Sequence, residues 1–241
     1  MLSKNQLKLI TSLQQKKYRI KHGLFIAEGI KVVQELLNSD FVCEYLYCTE
    51  DFVHEIKGYK PEIISEKELK KISNLITPNK VFGTFKIPKQ RQVKQEGLIL
   101  ILDTIKDPGN LGTIIRLCDW FGIEQLICSN ETVDCYNSKV VQSTMGSLSR
   151  ISIVYTNLKE FLNFTKLPIY GALLEGENVY QSKLPSEGIL IMGNESNGIS
   201  EEIEDLITHK ITIPRFGHLQ ETESLNVAAA TAILLSEFNR N

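Results

Sequence analysis

The sequence lacks a long apolar run, a paired-cysteine motif and any obvious metal-ligand pattern. Its five cysteines include no C-x-x-C, and its four histidines (His22, His54, His209 and His218) show no metal-ligand spacing. We therefore predict free thiols, with neither a disulfide framework nor a bound metal. No run of about 18 apolar residues occurs, and the first residues contain no apolar stretch of signal-peptide length. We expect a cytoplasmic protein with no membrane partner.

Two common phosphate-binding motifs are also missing. Neither the P-loop pattern G-x-x-x-x-G-K-[ST] nor the dinucleotide fingerprint G-x-G-x-x-G occurs among the 15 glycines. A nucleotide-binding oxidoreductase is thereby disfavoured. With 42% hydrophobic and 23% charged residues, the composition is typical of globular proteins, and 241 residues suffice for one large domain or two modest ones.

Charge is distributed unevenly along the chain. Residues 1–97 contain 17 basic and 11 acidic residues, whereas the remainder contains 10 basic and 18 acidic residues. The first 22 residues have no carboxylate, and a polyanion such as RNA is one partner for such a segment. A solvated helix face is an equally good interpretation. The candidate RNA-binding residues are Lys4, Lys8, Lys16, Lys17, Arg19 and Lys21.

Apolar spacing predicts an amphipathic helix over residues 3–17 with Ser3 as its N-cap, followed by short strands and helices up to Pro88. The next segment, KQRQVKQEG, has only Val93 as a bulky apolar residue and is typical of a linker. We therefore predict a basic α/β domain over 1–88, a linker over 89–97 and a second domain over 98–241.

The second domain consists of apolar runs, such as GLILILD and GILIMGNE, that alternate with helical stretches. Such runs are typical of strands buried on both faces, so we predict an α/β fold with a mostly parallel sheet covered by helices on both faces. Ligands bind such sheets at the carboxyl ends of the strands. The loops after three of these strands are therefore candidate sites.

The first loop, DTIKDPGN, leads into a helix predicted to begin near Asn110 or Leu111. Arg116 lies among apolar residues of that helix. A lone arginine in this position is more often a structural ion-pair partner, but it is also a candidate phosphate clamp because its planar fork suits that anion.

The second loop, GNESNGIS, places Glu195 at a strand end with Ser200 as a candidate N-cap. It is either a plain turn or an orienting acceptor. The third loop follows Pro214 and ends where a helix is predicted to open near Ser224. Ser224 and Asn226 offer neutral hydrogen-bonding groups that suit a hydroxylated ligand such as a nucleoside.

In this order, D-x-x-x-DPGNLGxxxR, IMGNESNGIS and IPR…ESLNVAAA resemble the three motifs of the SpoU (TrmH-like) family of RNA 2′-O-ribose methyltransferases, within the SPOUT superfamily. The N-terminal FIAEG and ITPNKVFGTF are similar to the substrate-binding domain that often precedes them. The resemblance implies a deep trefoil knot, a homodimer, S-adenosylmethionine as cofactor and RNA as substrate, with ribosomal RNA favoured over transfer RNA.

The same resemblance implies the site residues. The family role of the arginine is to activate the ribose hydroxyl, although a guanidinium is seldom deprotonated. We prefer electrostatic stabilisation by Arg116, with Glu195 orienting Arg116 or Asn110. The implied catalytic residues are Asn110, Arg116, Glu195, Ser224 and Asn226. The implied cofactor-binding residues are Gly193, Asn194, Glu195, Gly198, Ile213, Ser224, Leu225 and Asn226.

The third motif departs from the family pattern. Arg215 follows Ile213-Pro214 where the family commonly has methionine, and the loop up to Ser224 is a few residues longer than usual. This departure is the one feature that favours a second hypothesis, a non-catalytic RNA-binding or ribosome-assembly protein on a methyltransferase scaffold.

Overall fold

The computed structural model describes residues 2–90, 92–217 and 223–240. The chain divides into two compact units, Met1–Lys89 with Asp134–Ser149, and Gln90–Val133 with Arg150–Asn241. The structure thus groups one internal segment with the N-terminal residues. The domain boundaries stated above stay a prediction.

The first unit contains a four-stranded sheet in the order β1-β4-β2-β3, in which β4 is antiparallel to β1 and β2, and β3 is parallel to β2. One apolar cluster includes Ile10, Ile26, Tyr47 and Phe82. The strands are β1 (Leu24–Glu28), β2 (Cys43–Cys48), β3 (Glu62–Ile63) and β4 (Val81–Lys86). The helices are α1 (Lys4–Ser12), α2 (Lys16–His22), α3 (Ile30–Leu37), α4 (Glu66–Ile72) and α6 (Ser138–Thr144), with 3₁₀ turns at Glu50–Glu55 and Ser147–Ser149.

The helix predicted over residues 3–17 is interrupted. Its start is confirmed, because the Ser3 hydroxyl accepts from the Gln6 amide and the Gln6 side chain accepts from the Ser3 amide, which completes a capping box. Helix α1 ends at Ser12 because the guanidinium of Arg19 donates to the carbonyls of Leu13 and Gln14. Two short helices therefore replace one long one.

The second unit contains six parallel strands in the order β10-β8-β9-β5-β6-β7, which confirms the predicted parallel α/β fold. Strand β9 and almost all of β5 are buried, and their isoleucines form much of one core cluster. The strands are β5 (Leu98–Leu102), β6 (Gln125–Ser129), β7 (Ser152–Thr156), β8 (Ile169–Asn178), β9 (Gly188–Met192) and β10 (His209–Thr212). The helices are α5 (Pro108–Phe121), α7 (Leu158–Phe164), α8 (Glu201–Glu204) and α9 (Val227–Phe238).

Two helix starts differ from the prediction by a few residues. Helix α5 begins at Pro108, because proline suits the first helical position and the Asp107 side chain caps the Asn110 amide at 2.8 Å. Helix α9 begins at Val227, because the Asn226 side chain accepts from the amides of Ala228 and Ala229.

Candidate functional site

The candidate site lies at the carboxyl ends of β5 and β9. Leu102 pairs with Met192, so the loops that begin at Asp103 and Gly193 leave the sheet side by side. Strand order reverses between these two strands, because β6 and β7 follow on one side of β5 while β9, β8 and β10 lie on the other. Ligands of open parallel sheets bind at such a switch point.

Three of the five predicted catalytic residues meet there. The Asn226 amide donates to Asn110 Oδ1 at 2.9 Å, and the Asn110 amide donates to Glu195 Oε1 at 2.8 Å. Asn226 also caps α9, so its side chain is fixed at both ends. Residues far apart in sequence thus form one hydrogen-bonded series, which we call the Asn226–Asn110–Glu195 relay.

Glycine at position 193 closes the loop that holds Glu195. A Cβ atom at Gly193 would lie 2.3 Å from the backbone of Gly198, and only glycine permits that approach. Asn194 and Gly198 exchange two backbone hydrogen bonds, and the Asn194 side chain accepts from the amides of Ser196 and Asn197. The loop is therefore a closed turn that projects Glu195 towards Asn110.

Arg116 does not join the relay. It follows Asn110 by six residues, which places it about 9 Å further along α5 and about 240° around the axis. Its side chain is exposed, and within the described parts of the chain no residue bonds to it. Of the two predicted partners of Glu195, the structure has Asn110. The sequence position of Arg116 favours a structural ion pair, but no such pair forms among the described residues.

Ser224 and Leu225 are exposed at the edge of the same cleft, and no hydrogen bond involves the Ser224 side chain among residues 2–90, 92–217 and 223–240. Arg215 Nη2 donates to the Glu223 carbonyl at 2.7 Å, which links the two described ends of the longer third loop. His218 lies outside the described residues.

The cleft beside the relay has a volume of about 1560 Å³. All the predicted cofactor-binding residues except Asn226 line it, and Asn226 is bonded to Asn110 beside it. Its described lining includes four carboxylates and two basic groups, one of which, Lys210, pairs with Glu204. The carboxylates are Glu175, Glu195, Glu204 and Glu223.

One wall of this cleft was not predicted from the sequence. Lys210 of β10 pairs with Gly171 of β8, whereas the next residue, Ile211, pairs with Glu177. The β8 residues between Gly171 and Glu177 therefore leave the regular ladder. This excursion places Leu174 and Glu175 in the lining, with Leu174 66% exposed. Gly176 permits it, because a Cβ atom there would lie 2.7 Å from the Lys210 backbone. That glycine within an otherwise strand-like run is a signal of irregular pairing.

Five of the six predicted RNA-binding residues, Lys4, Lys8, Lys16, Lys17 and Lys21, are exposed on α1 and α2. Arg19 is not, which corrects its inclusion: it is only 3% exposed, and its Nε and Nη2 donate to Asp134 Oδ2 at 2.9 and 2.6 Å. A guanidinium whose donors already bind a carboxylate and two carbonyls is not available to phosphate.

The described residues contain neither a membrane-spanning helix nor a cluster of metal ligands. No helix among them has the length and apolar character needed to cross a bilayer. No group of three or more His, Cys, Asp or Glu side chains in residues 2–90, 92–217 and 223–240 could hold a metal ion.

Two known protein families match this chain, one over each part of its length. The SpoU rRNA Methylase family matches residues 97–236, and the MRM3-like substrate binding domain matches residues 4–83. A 23S rRNA (guanosine(2553)-2′-O)-methyltransferase of Bacillus subtilis is 30% identical, over 92% of this chain and 91% of its own.

Several solved structures resemble the whole chain, including two whose names describe RNA methyltransferases. A putative RNA methyltransferase of the TrmH family from Porphyromonas gingivalis has a TM-score of 0.91 and 39% identity, covering 100% of this chain and 99% of its own. An AdoMet-bound rRNA methyltransferase from Sinorhizobium meliloti has a TM-score of 0.88 and 29% identity, covering 100% and 96%.

Proposed function

The chain belongs to the SpoU rRNA methylase family, and we propose that it transfers a methyl group from S-adenosylmethionine to a ribose 2′-hydroxyl of structured RNA. The observation that carries this proposal is the Asn226–Asn110–Glu195 relay at the switch point of a parallel sheet. It joins the three loops that contain the family motifs. The intact relay favours a working enzyme over a non-catalytic RNA-binding protein.

The cleft fits this cofactor electrostatically. S-adenosylmethionine has an ammonium, a sulfonium and a carboxylate, so its net charge is positive, and the four carboxylates in the described lining exceed the two basic groups. Backbone groups at Gly193, Ile213 and Leu225 would contact the uncharged adenosyl part. When bound, the cofactor supplies an electrophilic methyl group, and no metal is needed.

We assign the protein's contribution mainly to positioning and electrostatics. Glu195 holds the Asn110 amide in one orientation, and Asn226 holds the same amide from its other end. Arg116 would grip the phosphate beside the target ribose and stabilise the negative charge that develops on the 2′-oxygen. A guanidinium keeps its proton at neutral pH, so the hydroxyl proton leaves to phosphate or water.

We propose that the protein is a homodimer, which would account for the exposure of Arg116. On one chain this residue faces away from the relay, and Trp120, one turn later on α5, is 83% exposed. A large aromatic side chain in this position is suited to an interface. A dimer that covers this surface would bury Trp120 and bring Arg116 to the interface. Light scattering coupled to size-exclusion chromatography measures the oligomeric state directly, and a monomeric mass would contradict this proposal.

Ribosomal RNA is the favoured substrate, because a relative that matches 92% of this chain and a solved structure that matches all of it carry rRNA methyltransferase names. The five exposed lysines of α1 and α2 would contact its backbone, and such contacts weaken as salt rises. The proposal also includes a cytoplasmic location, where the ribosome is assembled, and the trefoil knot of the family.

The decisive experiment measures the transfer of labelled methyl groups to total RNA from cells that lack this protein, followed by nuclease digestion and mass spectrometry of the nucleosides. A 2′-O-methylated nucleoside that requires active protein establishes the reaction and names the base. Cofactor binding without incorporation on total RNA or on ribosome assembly intermediates would overturn the proposed substrate. An absence of cofactor binding would favour the non-catalytic RNA-binding protein.

A further inference from the structure

Asp103, directly after β5, is a buried carboxylate outside the relay. It is 4% exposed, and its Oδ2 accepts from both the amide and the hydroxyl of Ser200 at 2.8 Å. Its Oδ1 accepts from the Thr104 hydroxyl at 3.0 Å. A buried charge requires such donors. Ser200 precedes α8, yet its hydroxyl does not cap that helix, because it is bonded to Asp103 instead.

Thr104 has an unusual backbone. Its φ is +61°, a left-handed conformation that strains a β-branched residue. Its amide donates to the Ser129 hydroxyl at 2.9 Å, and its carbonyl accepts from the Asn194 side chain at 2.7 Å. Strained residues persist where the surroundings hold them, and they concentrate at functional sites.

Together these bonds hold the Glu195 loop at both ends. Thr104 binds Asn194, the residue before Glu195, and Asp103 binds Ser200, which follows the loop. Between these two attachments lies the turn that directs Glu195 to Asn110. Neither Asp103 nor Thr104 bonds to a relay side chain in the described residues, so their effect on the relay passes through the loop.

We propose that Asp103 and Thr104 are positioning residues for methyl transfer, which strain the end of β5 in order to keep Glu195 bonded to Asn110. This inference rests on the proposed function. We call the two attachments, Thr104 to Asn194 and Asp103 to Ser200, the clamp. If the clamp serves activity, its loss should lower the rate of methyl transfer by more than any change in stability explains.

The first test is Thr104→Gly. Glycine adopts positive φ without strain, but this variant also loses the hydroxyl that donates to Asp103, so the two effects oppose each other and the melting temperature should change little. The rate of methyl transfer should nevertheless fall about tenfold, and amide hydrogen exchange in residues 194–200 should become faster. Met145→Gly is the matched control, because Met145 also has a positive φ, +53°, but belongs to the first unit. The rate of methyl transfer by this control variant should not change. An unchanged rate for Thr104→Gly, measured well below the melting temperature, would overturn the proposal.

The second test is a double-mutant cycle between Asp103→Asn and Glu195→Gln. If both variants disable the same relay, each should lower the rate about 100-fold and the double variant should be little worse than either. Effects that multiply would overturn the positioning role. Ser200→Ala, which removes a single hydrogen bond, replaces Asp103→Asn in the cycle if that variant does not fold.

The two proposals fail differently. If the wild-type protein methylates RNA and the cycle is additive, the proposed function stands and the clamp is only structural. If the wild-type protein transfers no methyl group to RNA, the proposed function fails and the positioning role fails with it.

Discussion

Helix α2 in the first unit and helix α5 in the second each carry one arginine, and the two guanidinium groups have different surroundings. Arg19 is buried and bonded to Asp134 and to two carbonyls, while its lysine neighbours are exposed. Arg116 is exposed among apolar neighbours, and no described residue bonds to it. An arginine's role therefore depends on the groups that the fold brings to it rather than on its neighbours in sequence.

Of these two arginines, Arg19 is the buried one, and we expect the largest change in stability when it is replaced. Arg19→Met leaves the Asp134 carboxylate largely buried without its cation and the Leu13 and Gln14 carbonyls without a donor. We expect a loss of about 3–5 kcal/mol in the free energy of unfolding, because a broken buried ion pair leaves one charge uncompensated. Urea denaturation followed by circular dichroism measures this loss. Arg19→Lys, the control, keeps the charge but not the fork, and should lose part of the stability.

A loss below about 1 kcal/mol for Arg19→Met would mean that the pair behaves like an exposed one. The contrast between α2 and α5 would then disappear.

Arg116→Ala tests whether the exposed arginine serves methyl transfer rather than stability. The side chain has no described partner to lose, so stability should change little, whereas methyl transfer should fall about 10²–10³-fold if the guanidinium stabilises developing negative charge. Single-turnover rates and calorimetric cofactor binding separate the two effects. Near-normal turnover with unchanged cofactor binding would refute the role. Arg116→Lys, which keeps a point charge, should recover part of the rate.

Neutralising the exposed lysines of α1 and α2 tests whether they bind RNA, in contrast to the buried Arg19 beside them. Deleting residues 1–21 would test them poorly, because Ile10 and Leu13 of that segment are buried in the core of this unit. Replacing Lys4, Lys8, Lys16, Lys17 and Lys21 with glutamine instead leaves the core intact. RNA affinity should fall about tenfold or more and depend less on salt, while cofactor affinity should stay unchanged.

Filter binding to transcribed 23S rRNA over a salt series measures both quantities. Equal losses of RNA and cofactor affinity would contradict a surface dedicated to RNA. Replacing Lys57, Lys60, Lys67, Lys70 and Lys71 in the same unit is the matched control for total charge.

Sequence periodicity predicted the parallel sheet because buried strands require continuous apolar runs, and residues such as Ile99 and Ile191 meet that requirement locally. Strand ends also located the relay residues, since Asn110 and Glu195 follow β5 and β9. Apolar periodicity could predict neither the course of the β8 excursion nor the partner of Arg19, although Gly176 signals that the pairing of β8 is irregular. Both depend on residues distant in sequence, Lys210 in one case and Asp134 in the other.

Arg150 in the second unit is intermediate between Arg19 and Arg116, because it is paired with a carboxylate but partly exposed. Its replacement should have the smallest effect of those considered. Its Nε donates to both carboxylate oxygens of Asp119 at 2.9 and 3.0 Å, and its Nη2 lies 2.8 Å from Oδ2, but the Arg150 side chain is 45% exposed. Water therefore screens the pair, and Arg150→Ala should lower the free energy of unfolding by about 1 kcal/mol or less. Urea denaturation beside Arg19→Met gives the comparison on one scale. A loss as large as that of Arg19→Met would show that bidentate geometry rather than burial determines what an arginine contributes to stability here.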